Sequence, residues 1–202
     1  MSVRVLIAED QTMVRGALSA LLSLEEDIEI IAEVSRGDEV IPAALNSSPD
    51  VALLDIEMPG GDGLSAAAAL KESLPSCRVL ILTVFGRPGY LKRAMESGAV
   101  GFLLKDAPAS ELASAIRRVM AGERVVDPGL AAAALSEGEN PLTGREREVL
   151  VASADGATIE DIAGKLYLSE GTVRNYLSTA IKKLGAKNRV EAAHLAEKKG
   201  WL

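Results

Sequence analysis

The sequence predicts a doubly wound α/β domain, a (βα)5 layer sandwich, followed by a small all-α domain of four helices. Two patterns support this prediction. Short apolar runs alternate with helical patterns over residues 1–122, whereas no strand-like run occurs after Thr143. Residues 1–139 carry 12 Lys and Arg against 21 Asp and Glu, while residues 140–202 carry 10 against 8. We expect an α/β domain at 1–122, a linker at 123–140 and a helical domain at 141–202.

Five apolar runs are the predicted strands: Val3–Ala8, Ile28–Val34, Val51–Asp55, Arg78–Leu82 and Val100–Leu104. Near-continuous apolar runs are typical of parallel strands that have helices on both faces. Between these runs, apolar residues recur at helical spacing, as they do from Met13 to Leu22 and from Leu112 to Met120. Because strand and helix alternate five times, a doubly wound sheet is favoured.

The helical domain carries clear start and stop signals. Two capping boxes are predicted, at Thr143 with Glu146 and at Thr158 with Asp161. Two further helices have single N-cap residues, Ser169 and Asn188. Gly156 and Gly185 stand where helices should end. These signals divide the last 60 or so residues into four helices.

Composition excludes several kinds of site. The single Cys77 excludes an internal disulfide and a cysteine-based metal cage, and it suits a reducing cytoplasm. The lone His194 excludes an all-histidine metal site. No run approaches the roughly 20 apolar residues of a membrane-spanning helix. We therefore expect a cytoplasmic protein with no membrane partner.

Polar residues follow four of the predicted strands. Glu9 and Asp10 end the first run, Asp55 ends the third, Thr83 closes the fourth and Lys105 closes the fifth. The carboxyl ends of parallel strands form the ligand crevice of such a sheet. Carboxylate oxygens are ligands that Mg²⁺ prefers, and a carboxylate can itself accept a phosphoryl group. The pattern predicts Mg²⁺-assisted phosphoryl transfer to Asp55, with Glu9 reaching the metal through water and with Lys105 and Thr83 contacting the phosphoryl group.

The motifs around these residues resemble the receiver domain of two-component response regulators. They are Ala8-Glu9-Asp10, Leu54–Pro59, Asp62-Gly63, Leu82-Thr83 and Leu103–Pro108, in that order. The resemblance implies a flavodoxin-like fold and phosphorylation of Asp55 by a sensor histidine kinase. It also implies that Mg²⁺ binds Asp10, Asp55 and the main-chain carbonyl of Glu57.

The same resemblance assigns a conformational switch. Thr83 would move to the phosphoryl group, and Phe102, three residues before Lys105, would turn inward with it. The turn that ends at Pro108 matches one that in the family contains a cis peptide before the proline.

Other activities use a similar fold, and the sequence argues against each. A flavin binder would carry a phosphate loop rich in Ser, Thr and Gly after the first strand, and none is present. A phosphohydrolase would offer a second acid two residues after its nucleophile; Glu57 stands there, but the order of the motifs favours a receiver. An enzyme with an external substrate would need a substrate-sized insertion near the strand ends. We therefore expect catalysis only of the protein's own phosphoryl transfer and autodephosphorylation.

In the helical domain, residues 169–185 predict an amphipathic helix. One stripe is apolar and the other carries Arg174, Asn175, Ser178 and Lys182, residue types that contact bases and phosphates in a DNA groove. The short turn before this helix is typical of a helix-turn-helix. An ordinary solvated helix face is an equally good interpretation of this composition alone.

Residues 141–202 resemble the LuxR/NarL/FixJ type of DNA-binding domain. The motifs are Leu142–Leu150, Ile162-Ala163, Leu168-Ser169, Thr172–Arg174 and Lys183–Ala192. The resemblance implies a double-stranded DNA surface made of Ser169, Thr172, Arg174, Asn175, Ser178, Lys182 and Lys183. Ile159-Glu160 replaces an Asn-Lys pair that is frequent in the family, which removes a phosphate contact. The strings at 85–90 and 171–176 resemble a narrower subset of regulators, which controls fatty-acid desaturase expression.

Phosphorylation is expected to drive homodimerisation, because two linked helix-turn-helix units bind adjacent half-sites far better than one. The resemblance also implies an inactive state in which the receiver covers the DNA-binding domain, so release of that domain, alone or together with dimerisation, is the alternative. RNA polymerase at the promoter is a further expected partner. The first and fifth helices are the candidate dimer surface, since they carry many aliphatic residues: Met13, Val14, Leu18, Leu22, Leu112, Ile116, Val119 and Met120. The alternative, that these residues only cover the sheet, is equally open. A pure interaction module without DNA affinity is a second alternative, and the Arg174–Lys182 face argues against it.

Overall fold

A computed structural model describes residues 2–84, 88–136, 140–153 and 156–202. Residues 85–87, which belong to the predicted desaturase-regulator string, lie outside the described residues. The chain divides into two compact units, formed mainly by residues before and after Ala132. In the described part of the chain, no helix is long and apolar enough to cross a membrane.

The first unit is built on a parallel sheet with the order β2-β1-β3-β4-β5-β6. Its strands are β1 (Val3–Ala8), β2 (Ile28–Val34), β3 (Val51–Asp55), β4 (Arg78–Thr83), β5 (Gly101–Leu104) and β6 (Val125–Val126). The predicted doubly wound α/β class is confirmed, and five of these strands are the predicted ones. The sixth was missed: β6 pairs with β5 through Gly101 and Phe102. It lies within the stretch predicted as a linker.

Helices connect the strands of this unit: α1 (Thr12–Leu22), α2 (Gly37–Ser47), α3 (Gly63–Ser73), α4 (Pro88–Glu96) and α5 (Ala109–Met120). The residues of β3 are all buried, as expected for a central strand that is covered on both faces. Ile116 and Val119 of α5 are fully buried against Val5, Val51 and Leu80 of the sheet. No peptide bond within the described ranges is cis, so the implied cis bond before Pro108 is wrong for this structure.

Helix α6 (Pro128–Ser136) follows β6, and four further helices form the second unit: α7 (Gly144–Ala152), α8 (Ile159–Leu166), α9 (Glu170–Leu184) and α10 (Arg189–Lys198). The predicted capping boxes are formed at Thr143 and Thr158, and the side chains of Ser169 and Asn188 cap α9 and α10. The core of this unit is small and aliphatic, with Leu150, Ile162, Val173, Leu177 and Ala192 at its centre.

Candidate functional site

The sheet order brings the predicted polar residues to one edge of the first unit. The strands β1, β3, β4 and β5 are consecutive neighbours, and each delivers a polar side chain at or just beyond its carboxyl end. These side chains belong to Glu9, Asp55, Thr83 and Lys105. Glu9, Asp55 and Thr83 are buried, with exposed fractions of 1%, 5% and 2%. The strand ends therefore form a nearly solvent-free polar pocket.

The ammonium group of Lys105 lies between two buried carboxylates. Lys105 Nζ is 2.6 Å from Glu9 Oε2 and 2.9 Å from Asp55 Oδ2. The other oxygens are held by main-chain donors: Gln11 N–H donates to Glu9 Oε1 at 3.2 Å, and Ile56 N–H donates to Asp55 Oδ1 at 2.8 Å. The single Lys105 cation thus pairs with two carboxylates, so the pocket keeps an excess of negative charge.

This charge imbalance appears in the acid–base properties of the pocket. Burial raises the pKa of Asp55 and outweighs the opposing hydrogen bond from Lys105. Burial also raises the pKa of Glu9, and the nearby charge of Asp55 adds to the shift. Burial lowers the pKa of Lys105, but its bonds to Glu9 and Asp55 outweigh burial, so the net direction is upward and the side chain stays charged. The pocket therefore holds a lysine cation and two carboxylates that are costly to keep ionised.

The residues at this edge fit a hard divalent cation. Carboxylate oxygens of Glu9, Asp10 and Asp55 all lie within 4.8 Å of one another. The buried Glu9 Oε2 contacts Lys105 closely but receives no hydrogen bond of good geometry, so part of its bonding capacity is unused. Mg²⁺ prefers oxygen ligands and retains several waters, and Asp10 is exposed, which leaves room for them. The donor set therefore suits Mg²⁺.

Local backbone packing fixes the position of Asp55. Gly63 N–H donates to the carbonyl of Ile56 at 2.9 Å, so the start of α3 lies directly against the end of β3. A Cβ atom at Gly63 would overlap the main-chain oxygen of Asp55. Asp62 caps α3 by accepting from Ser65 N–H at 2.7 Å. Only glycine fits at position 63 without displacing the strand end that carries Asp55.

One contact of the pocket was missed from the sequence. Arg15 on α1 donates from its guanidinium to the main-chain carbonyl of Glu9. The same guanidinium lies 3.7 Å from Glu33 of β2, which also accepts from the Ser19 hydroxyl at 2.9 Å. Arginine on a helix is usually a surface residue, so no pattern in the sequence distinguishes Arg15.

The predicted switch residues lie on adjacent strands. Phe102 is fully buried on β5 and is paired in register with Ile81 of β4, two residues before Thr83. The aromatic ring is therefore in an inward position. Glu57, whose main-chain carbonyl is the remaining predicted metal ligand, follows β3 with an exposed side chain.

The aliphatic residues of α1 and α5 fall into two groups. Leu22, Leu112, Ile116 and Val119 are buried in the core, which agrees with the alternative that they cover the sheet. In contrast, Met13 is 81% exposed. Met13, Val14, Leu18 and Leu21 line one wall of an apolar cavity of about 330 Å³, and Leu103, Lys105 and Leu112 line the other. An apolar groove between α1 and α5 therefore opens to solvent next to the pocket lysine.

The predicted DNA-binding residues lie on α9 in the second unit. Val173, Leu177 and Ala180 point into the core, while Arg174, Asn175, Ser178 and Lys182 are exposed on the opposite stripe. The predicted amphipathic helix is thus formed. Arg174 contacts Glu170 of the same helix at 2.7 Å. This pair is exposed, so it is weak and the guanidinium can exchange to another anion.

Three other predicted DNA contacts have partners within the unit. Ser169 accepts from Thr172 N–H at 3.2 Å, and their hydroxyls lie 2.8 Å apart. Lys183 Nζ lies 2.8 Å from Glu146 Oε2 and so ties α9 to α7. Ser169 and Thr172 therefore shape the start of α9, while Lys183 stabilises the helix packing.

Family models match the chain in two parts. The model described as response regulator receiver domain matches residues 5–117, and the model described as bacterial regulatory proteins, luxR family, matches residues 140–196. The chain belongs to the response regulator family. The predicted family is thereby confirmed. This response regulator has a receiver domain and a LuxR-type DNA-binding domain, and it is a transcription regulator rather than a metabolic enzyme.

Similar proteins cover the response regulator over nearly its whole length. The uncharacterized transcriptional regulatory protein YvfU of Bacillus subtilis strain 168 is 50% identical over 200 residues, which is 99% of this chain and 100% of that protein. The transcriptional regulatory protein DesR of the same strain is 48% identical over 199 residues, covering 98% of each chain.

Solved structures of response regulators also match the chain over nearly its whole length. The response regulator ChrA of a heme-sensing two-component system matches with a TM-score of 0.59 at 35% identity, covering 100% of this chain and 99% of that one. RcsB from Salmonella enterica serovar Typhimurium, bound to promoter P1flhDC in the presence of the phosphomimetic BeF₃⁻, matches with a TM-score of 0.69 at 25% identity, covering 98% and 99%.

Proposed function

We propose that Asp55 is the phosphoacceptor of this response regulator and that phosphorylation activates DNA binding. The position of the Asp55 carboxylate supports this most directly: it is buried at the end of a central strand, 2.9 Å from the Lys105 ammonium and beside two further acids. A carboxylate that only stabilised the fold would have little need of the acids Glu9 and Asp10 beside it. A sensor histidine kinase is the phosphodonor that a receiver domain implies.

In the transfer step, an oxygen of Asp55 attacks the phosphorus of a phosphohistidine. The P–N bond breaks, its electron pair returns to the imidazole nitrogen, and that nitrogen takes a proton from solvent. Lys105 stabilises the negative charge on the phosphoryl oxygens, and the Thr83 hydroxyl donates a hydrogen bond to one of them. Burial of Asp55 keeps competing water away until the group is transferred.

The carboxylates of Glu9, Asp10 and Asp55, with the main-chain carbonyl of Glu57, would hold Mg²⁺, and Glu9 would do so through water. When it is bound, the cation supplies the positive charge that offsets the acids and the incoming phosphate. Lys105, which lies between Glu9 and Asp55, would contact the phosphoryl group from the side of Asp55. The same site, with water as the nucleophile, would support autodephosphorylation.

Thr83 and Phe102 would transmit phosphorylation to the surface of the receiver. The Phe102 ring is already fully buried without a phosphoryl group, so a Thr83 hydroxyl that moves to the phosphoryl group would further stabilise this inward position. A phosphoryl group shifts such an equilibrium only by the difference in its affinity for the two states.

The exposed part of the α1–α5 groove would form the homodimer interface. Dimerisation would place two α9 helices on adjacent DNA half-sites, where Arg174, Asn175 and Ser178 contact base edges and Lys182 contacts a phosphate. RcsB, a related protein, is bound to promoter DNA in the presence of the phosphomimetic BeF₃⁻. RNA polymerase would be the partner of the promoter-bound dimer.

Phosphorylation of Asp55 is tested by incubating the protein with acetyl phosphate and Mg²⁺ and measuring its intact mass. Wild-type protein should gain one phosphoryl group, and removal of Mg²⁺ by chelation should abolish the gain. Asp55→Asn should gain none. The matched control is Asp62→Asn, because asparagine also caps helices well and Asp62 is exposed. A phosphorylated Asp55→Asn protein would contradict the proposal.

DNA binding is tested separately by fluorescence anisotropy with a duplex that the wild-type protein selects from a random pool. Arg174→Ala should weaken binding and relax base preference. Lys182→Ala should weaken binding to all duplexes and reduce the salt dependence by about one unit of slope. Arg145→Ala, an exposed change on α7, is the control. Failure of the wild-type protein to select any duplex would sink the DNA-binding part of the proposal.

A further inference from the structure

Tyr167, in the turn between α8 and α9, combines two unusual features. Its backbone is left-handed, with φ 55° and ψ 46°, and it is one of two described non-glycine residues with a positive φ. Its side chain is 96% exposed, the largest exposed fraction among the large hydrophobic residues described. Each feature by itself is uncommon for an aromatic residue.

The backbone conformation is required by the turn and not by the tyrosine. Tyr167 N–H donates to Gly164 O at 3.4 Å and Leu168 N–H donates to Ala163 O at 2.9 Å, the two hydrogen bonds of a Schellman motif. Glycine or asparagine normally occupies the left-handed position of this motif, because a larger side chain brings Cβ close to a carbonyl oxygen. Leu168 supplies the apolar contact that completes the motif, since it packs against the core.

Among the described residues, the tyrosine ring makes no contact that would offset the cost of the left-handed backbone. It is absent from the core cluster of this unit, and in the part of the chain that the structure describes its hydroxyl has no hydrogen-bond partner. A large exposed aromatic side chain neither removes apolar area from water nor relieves the backbone. Tyr167 is therefore a poor choice for stability at this position.

The surroundings of Tyr167 are those of the proposed DNA surface. Lys165 is exposed before it, and Ser169 and Gly171 are exposed after it, followed on the same helix by Arg174. Gly171 has open space around its Cβ position, with only the Ser169 hydroxyl within 4 Å. The turn is thus continuous with the exposed stripe of α9. It has Lys165 on one side and Arg174 on the other, and Arg174 is paired with the exposed Glu170, so a neutral tyrosine hydroxyl can approach a phosphate there without adding charge.

We propose that Tyr167 is a DNA-backbone contact, with its hydroxyl donating to a phosphate oxygen and its ring lying against the adjacent sugar. Tyrosine is one of the side chains that bind DNA phosphates through a neutral hydroxyl, and its rigid ring loses little entropy on binding. This inference rests on the proposed function of α9, since Tyr167 directly precedes that helix. In this arrangement the turn would position the protein on the DNA backbone, and α9 would recognise the bases.

The test compares full-length Tyr167→Asn and Tyr167→Phe with wild type, all with beryllofluoride and Mg²⁺, on the duplex selected by wild-type protein. Asparagine tolerates the left-handed conformation, and phenylalanine removes only the hydroxyl. We expect both variants to bind about fivefold more weakly, the size of one lost hydrogen bond. The salt dependence should stay unchanged, because tyrosine carries no charge that would displace a counterion.

Thermal unfolding separates this role from a structural one. The midpoint of Tyr167→Asn should equal or exceed that of wild type, because the left-handed backbone is relieved. The control Val151→Thr, an exposed change on α7, should affect neither quantity. Wild-type affinity in both tyrosine variants would overturn the inference, and so would a loss of affinity that accompanies a lower midpoint.

Failure of the proposed function itself gives a different result. If Arg174→Ala binds as wild type does while both Tyr167 variants are weakened without a lower unfolding midpoint, the proposed DNA surface on α9 is wrong, although the turn contact is supported. If Arg174→Ala is weakened and both Tyr167 variants are not, the α9 surface stands and Tyr167 faces another partner, such as a second protein. The second result rejects the contact proposed here, whereas the first rejects only the proposed surface on α9.

Discussion

Lys105 is the residue on which the charge balance of the acid pocket depends. It is a single cation between the buried carboxylates of Glu9 and Asp55. Removing one partner of a buried ion pair lowers the free energy of unfolding strongly, because the other charge is left buried without compensation. Replacing both partners by apolar residues costs much less. The lysine therefore stabilises the charged pocket, and in the proposed function it would also contact the phosphoryl group.

Replacement of this lysine should depend on pH in a defined direction. In the absence of Mg²⁺, Lys105→Met should lower the free energy of unfolding by about 3–5 kcal/mol near neutral pH. The loss should shrink at pH 5, because burial already raises the pKa of Glu9 and Asp55, so without the lysine both carboxyls can take up protons. Urea unfolding measures both values. Lys71→Met, at an exposed position on α3, is the control, and a loss independent of pH would contradict this explanation.

In the second unit, Glu146 is a buried charged residue whose ion pair contributes to stability, as that of Lys105 does in the first unit. Its Oε2 accepts from Thr143 N–H at 2.6 Å and contacts Lys183 Nζ at 2.8 Å. Burial raises the pKa of Glu146, but the hydrogen bonds from Lys183 and Thr143 outweigh it and hold the pKa below its ordinary value. The charged form is therefore favoured by folding. Its contribution is full above the ordinary pKa of 4.5 and is lost as the pH falls through the lower folded value.

Glu146→Gln should accordingly lower the free energy of unfolding of this unit by about 1–2 kcal/mol at pH 7, the value of a helix cap with a charged partner. In strongly acidic buffer the difference from wild type should vanish. The control is Glu148→Gln, which breaks only an exposed pair with Arg145 and should change stability by less than about 0.5 kcal/mol. Thermal unfolding at both pH values provides the measurement, and an equal effect of the two substitutions would refute the assignment.

Among the secondary-structure elements, the junction of β3 and α3 accepts no side chain at Gly63, because a Cβ atom there would overlap the main chain of Asp55. Gly63→Ala should lower the free energy of unfolding by about 2–3 kcal/mol and weaken beryllofluoride binding at Asp55. Gly164→Ala is the control, since nothing lies within 4 Å of its Cβ position in α8. It should stabilise the protein by about 0.5–1 kcal/mol. Equal stability changes would contradict the packing argument.

Elements with a long apolar pattern could be predicted from the sequence, and short ones could not. The bounds of β1, β2 and β3 follow from their apolar runs, and the capping boxes fix the starts of α7 and α8. The two-residue strand β6 is too short to show a period, and its existence depends on pairing with β5, which no local pattern encodes. The contact of Arg15 with Glu9 and that of Lys183 with Glu146 were missed for the same reason.

At the scale of the whole molecule, the proposed function makes dimerisation the step that couples phosphorylation to DNA binding. The groove between α1 and α5 is apolar, open and lined by Lys105. Met13 is 81% exposed at this groove, so it contributes little to the core. A charge placed there would be buried without a partner in a dimer but solvated in a monomer.

Met13→Asp should therefore reduce the affinity of the beryllofluoride-bound dimer by about tenfold or more while the monomer keeps its stability and its ligand. Sedimentation velocity gives the dimer affinity, and unfolding gives the stability. Leu45→Asp, at another exposed aliphatic position on α2, is the control. Unchanged dimer affinity in Met13→Asp would place the interface elsewhere.

The two borders of the sheet bear on how the protein behaves at high concentration. An uncovered border strand can recruit another chain and begin aggregation. On one side the border strand is β2, which carries exposed Glu29 and Glu33 and an irregular register against β1 near Val5. On the other side, β6 offers only two residues for pairing. The exposed acids on β2 and the shortness of β6 thus disfavour fibre-like growth from either border of the sheet.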